Sequence, residues 1–76
     1  MNIKYIYRLE NIDTIIRTKS SGTPQQFARK IGLSRSKLFI YLNLMKELGA
    51  PIRYNKERGC YYYECIGEFS FRWNQI

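Results

Sequence analysis

The sequence predicts a mainly helical α+β domain in which three helices are followed by a C-terminal β-hairpin. Three observations carry that prediction. Apolar residues between positions 3 and 19 recur at helical spacing. The stretch Thr23 to Leu48 holds two sets of helix start and stop signals around a two-residue turn. Beyond Pro51 the texture changes to short runs of strand formers separated by a polar turn.

In the first predicted helix, residues 3–19, Tyr5, Leu9, Ile12 and Ile16 form the apolar seam, with Ile15 on its flank. Arg8, Asp13, Arg17 and Lys19 fall on other faces, and Ser20-Ser21-Gly22 stops the helix. The second helix, residues 23–31, starts from Thr23 as N-cap, with Pro24 in the first helical position and Gln26 completing a capping box. Phe27, Ala28 and Ile31 give it a buried side; Gly32 supplies the left-handed residue at its end and Leu33 fills the corner. The third helix, residues 34–48, starts from Ser34 as N-cap and stops at Gly49, with Pro51 beyond. Advancing about 100 degrees per residue puts Leu38, Tyr41, Leu42, Met45 and Leu48 on its core side. The opposite side carries Ser36, Ile40, Asn43 and Glu47, flanked by Lys37, Phe39 and Leu44. Two helices joined by such a turn form a helix-turn-helix, whose second helix can lie in the major groove of DNA.

Strands are expected on either side of Asn55-Lys56-Glu57-Arg58-Gly59, making a hairpin over residues 52–65. Alternation sends Tyr61 and Tyr63 to one side, toward the core, and Tyr62 to the other. Stacking of these tyrosines on single-stranded bases is the functional alternative to core packing. Residues 68–73 alternate, with Phe69, Phe71 and Trp73 on one side, and read as a third strand or a partner-binding tail.

The 76 residues amount to one small domain, residues 1–76, 45% hydrophobic, whose core is marginal enough to be compatible with a homodimer. The net charge of +7 and pI near 9.7 favour polyanionic partners. The charge is also concentrated: Arg17, Lys19, Arg29, Lys30, Arg35, Lys37 and Lys46 lie between Thr14 and Lys46, an interval with no Asp or Glu. A positive field centred on the two-helix unit suits phosphate binding; a solvated basic surface is the plainer reading. With no histidine and only Cys60 and Cys65, ligands for a zinc site are lacking, and the thiols read as free in a reducing, cytoplasmic compartment. Early charges argue against a signal peptide, and no run of 18 apolar residues could cross a membrane. No nucleophile with an activating base and no phosphate-cradling glycine loop is present, so neither catalysis nor a cofactor or small-molecule ligand is expected.

The run FARKIGLSRSKLFIYLNLMKELGAPIRYNKERGCYYY resembles the winged helix-turn-helix domains at the N-terminus of bacterial WYL-domain and DeoR-type regulators and of the biotin operon repressor-like group. The matching features are the IGLSRS turn, the MKELGAPI helix end and the RYNKERGCYYY wing, and the likeness covers about residues 9–65. The resemblance implies a DNA-binding transcriptional regulator, nucleoid-associated when bound, with its third helix in the major groove and its wing on the backbone or minor groove. Arg35, Ser36 and Lys37 match the polar start of the recognition helix, and Lys56 and Arg58 the basic wing. Phe39 stands where the family commonly has tyrosine, and Ile40 where it commonly has arginine. Family members usually carry a downstream sensor or effector domain, and no second domain is expected within these residues.

Residue chemistry gives a parallel set of expectations. Arg35 and Lys37 can meet guanine edges or phosphates from the first turn of the third helix. Gln25 and Gln26 can donate to a phosphate at the start of the second helix, although capping alone would also account for Gln26. Arg53, Lys56 and Arg58 can clamp double-stranded DNA beside the groove, or simply solubilise the hairpin tip. Asn43 lies on the groove-facing side. Phe39, Ile40 and Leu44 can touch thymine methyls; equally, an exposed apolar face marks a protein interface. The alternative function is therefore a protein-interaction or dimerisation module on the same scaffold.

Overall fold

The computed structural model describes the backbone of residues 3–69 and 73–75 and the side chains of residues 4–67. Three helices come first: α1 (Ile3–Arg17), α2 (Pro24–Lys30) and α3 (Arg35–Glu47). Two antiparallel hairpins follow, β1 (Ile52–Asn55) with β2 (Cys60–Tyr63), and β3 (Gly67–Phe69) with β4 (Trp73–Gln75). The order of three helices and a hairpin is the expected winged-helix layout. Among the described residues no helix is long and apolar enough to cross a membrane.

The helix ends follow the local signals. Thr23 caps α2: its hydroxyl accepts from the Gln26 N–H at 3.3 Å, while its own N–H donates to Gln26 Oε1 at 2.8 Å. Gly32, at φ +69, turns the chain out of α2, and Ser34 caps α3 by accepting from the Lys37 N–H at 3.2 Å. α1 stops two residues earlier than periodicity suggests. Lys19 adopts φ +55, the Lys19 N–H donates to Ile16 O at 3.0 Å and the Ser20 N–H to Ile15 O at 3.1 Å. That pattern closes the helix with a left-handed residue. The Thr18 hydroxyl, donating to Thr14 O at 2.9 Å, further occupies the carbonyls of the last turn.

Ile12 and Ile16 from α1, Phe27 from α2, and Leu38 and Met45 from α3 are fully buried and meet at the centre. The first hairpin closes the cluster with Ile52, Tyr54, Tyr61 and Tyr63, which its register puts on one face: Ile52 opposes Tyr63 and Tyr54 opposes Tyr61. The Tyr61 ring lies 5.6 Å from Phe27 and 4.9 Å from Tyr54, both tilted.

Two polar contacts absent from the sequence reading fasten the hairpin. Asp13, expected on an outer face, is buried beneath β2, where it accepts from Tyr63 OH at 2.8 Å and from Arg17 Nε at 2.9 Å. Burial of a carboxylate is tolerated because both donors reach it. Ser21, fully buried, accepts the Tyr61 N–H at 2.8 Å, so the α1–α2 connection occupies the outer edge of β2.

Three further expectations are corrected. Tyr5 is half exposed, its ring 6.3 Å from Tyr41, because the first turn of α1 runs past the packed centre. Leu48 is 42% exposed, since it is the C-cap where the backbone already leaves α3. Phe69 and Trp73 do not share one strand: Phe69 ends β3 and is paired with Trp73 of β4. Phe71 lies outside the described residues, as do the side chains of Phe69 and Trp73, so the expected one-sided aromatic row lies there too.

Candidate nucleic-acid interface

α3 presents its first turns to solvent. Arg35, Ser36, Lys37, Phe39, Ile40 and Asn43 are all exposed, while Leu38, Tyr41, Leu42 and Met45 are buried behind them. No acidic residue occupies the first turn of α2 or α3, so the positive ends of both helices add to the basic side chains. Gln25 is exposed at the start of α2. Gln26 is engaged in the capping box, which fixes its carbonyl oxygen and leaves its amide N–H groups as donors.

The hairpin tip is built by Asn55. Its carbonyl accepts from the Gly59 N–H at 2.8 Å and its side-chain oxygen from the Arg58 N–H at 3.1 Å. This closes the four-residue loop 56–59 and leaves Lys56 and Arg58 exposed at the end of the wing. Arg53 is set back on the outer face, where Nη2 lies 3.3 Å from Glu64 Oε2. With both side chains more than half exposed the pair is worth little, but it offsets the Arg53 charge.

The start of α3 and the hairpin are electrostatic neighbours. Burial, and then the neighbouring Tyr54, push the Tyr61 phenol above its usual pKa, and the Arg35 charge works against both. Arg35 thus lies close enough to act on a side chain of the wing. Arg35, Lys37, Lys56 and Arg58 make no ion pair with a described residue. An anionic ligand laid across them would displace no carboxylate.

The same helix carries an apolar stripe. Ile40 (66% exposed), Leu44 (38%) and Leu48 (42%) follow at intervals of four, with Phe39 beside them. Leu48 was missed as a surface residue because the wheel alone put it at the edge of the core side; the i+4 spacing from Ile40 and Leu44 was the available signal. Cys60 and Cys65 are free thiols, the first buried in β2 and the second beyond its end.

No family model, no curated protein and no solved structure matches this chain.

Proposed function

We propose that the chain binds double-stranded DNA as a small transcriptional regulator, with α3 in the major groove and the β1–β2 hairpin on the flanking backbone. One observation carries this reading: Arg35 and Lys37 stand exposed at the start of α3 and Lys56 and Arg58 at the tip of the wing, none of them paired with a described carboxylate. Each cation that meets a phosphate releases condensed counterions, so binding weakens as salt rises. In this reading the exposed Asn43 meets base edges and the exposed Ile40 a thymine methyl.

The test is a fluorescence-anisotropy titration of labelled duplex at several salt concentrations. Phosphate contacts by these four side chains predict a slope of log affinity on log salt of about −3 to −4. An absence of binding at low salt, or a slope near zero, would overturn the proposal.

The Ile40–Leu44–Leu48 stripe favours a second reading, association of two copies through α3. The two readings use overlapping surface, so sedimentation with and without duplex separates them.

A further inference from the structure

A concavity away from the apolar stripe gathers a second set of cations. It lies between the α1–α2 connection, α2 and the turn end of the first hairpin, has a volume of about 480 Å3, and is walled chiefly by Lys19, Ser20, Gln26, Lys30, Arg58 and Cys60. No Asp or Glu lines it. Lys19, Lys30 and Arg58 make no ion pair with a described residue. Lys30 Nζ donates to Ser20 O, which ties α2 to the connection and leaves two ammonium protons for a ligand. Lys19 stands at φ +55, where glycine would be unstrained. Its side chain lines this pocket and also the adjoining one walled by Asn55, Arg58, Cys60 and Tyr62.

We propose that this pocket binds a phosphate group. Three cations, one of them a guanidinium fork, surrounded by neutral hydrogen-bonding groups match a dianionic phosphate better than a single carboxylate. The volume exceeds that of a phosphate ion, so a phosphomonoester with its organic group fits as well as the free ion. A phosphodiester of a DNA strand passing the wing shares the same chemistry. Arg58 is shared with the wing-tip surface, but Lys19 and Lys30 lie outside it and outside α3, so the proposal does not rest on the DNA reading.

Calorimetric titration of the full chain with inorganic phosphate, with adenosine monophosphate and with a short duplex, at constant ionic strength, tests it. Phosphate and the mononucleotide are expected to bind at one site and to shift the amides of residues 19–22 and 58–60. Lys19→Gly, which suits the left-handed backbone, and Lys30→Gln should each weaken phosphate about tenfold, the worth of one charge-assisted hydrogen bond. Arg35→Ala with Lys37→Ala should leave phosphate binding unchanged. If phosphate competes with duplex and Lys19→Gly weakens both, the group belongs to the DNA backbone. If the mononucleotide binds while duplex affinity ignores Lys19→Gly, the source is a soluble phosphomonoester. Failure of duplex binding with retained phosphate binding overturns only the DNA reading. No saturable phosphate binding, amide shifts spread equally to Arg35 and Lys37, or a folded Lys19→Gly of unchanged affinity would overturn the pocket.

Discussion

Removing one oxygen atom from Tyr63 tests how the hairpin is held to the helices. In Tyr63→Phe the ring stays in the core cluster, but Asp13 loses the phenol that donates to it at 2.8 Å. Asp13 is only 3% exposed, so water cannot replace that donor without local opening. A hydrogen bond to a charged group contributes about 1.5–3 kcal/mol. A chain of 76 residues has a total stability of about 4–11 kcal/mol, so the loss is a large fraction. At this size each kcal/mol moves the midpoint by about 4–8 °C, so the expected fall in Tm is about 6 °C or more. Thermal melts followed by circular dichroism read it directly. Asp13→Asn is the comparison: it keeps an acceptor for Tyr63, but an amide NH2 replaces the oxygen that accepts from Arg17 Nε, whose side chain is 42% exposed. It should cost less than Tyr63→Phe. A change below about 0.5 kcal/mol in Tyr63→Phe, the range of ordinary surface substitutions, would refute the reasoning. So would a larger loss in Asp13→Asn, which would put the weight on the Asp13–Arg17 pair within α1 rather than on the contact from β2.

Further expectations follow from the same geometry. Burial first, then the hydrogen bond to Asp13 and its charge, hold the Tyr63 phenol well above its usual pKa of 10.0, against the opposing Arg17. The folded-state value is raised, so this contribution is complete below about pH 10 and is lost as pH rises beyond it; denaturant midpoints of wild type and Tyr63→Phe should converge in alkali. Gly32→Ala introduces strain at φ +69 but meets nothing within 4 Å, and should cost about 1 kcal/mol. Gly22→Ala adds a clash with Gln26 Oε1, breaking the α2 capping box, and should cost visibly more in urea denaturation. Ile40→Glu, on a two-thirds exposed residue, should leave the stability within about 0.5 kcal/mol of wild type. In sedimentation it should reduce any dimer to monomer; an unaltered dimer would remove α3 as the contact.

The features legible in the sequence are those with local causes. Thr23, Gln26, Gly32 and Ser34 set the bounds of α2 and α3 through bonds spanning three residues or fewer, or through one residue's backbone preference. The core side of α3 followed from period alone for Leu38, Tyr41, Leu42 and Met45. What stayed hidden depends on distant partners. Asp13 is buried because Tyr63 reaches it from fifty residues away, and Ser21 because Tyr61 does so from forty. Periodicity also cannot tell where a neighbouring element stops, which is why Tyr5 and Leu48, at the two helix ends, were assigned to the core. The basic side chains of the candidate interface were legible as a composition bias, whereas the closeness of Arg35 to the wing required the fold.

The account stands most directly on amide chemical shifts of the chain as a short duplex is added at low salt. DNA binding through α3 and the wing predicts saturable shifts concentrated at residues 34–43 and 56–59, withdrawn together by added salt. No shift at low salt, or shifts centred on the solvent side of α1 with residues 34–43 unmoved, would contradict it.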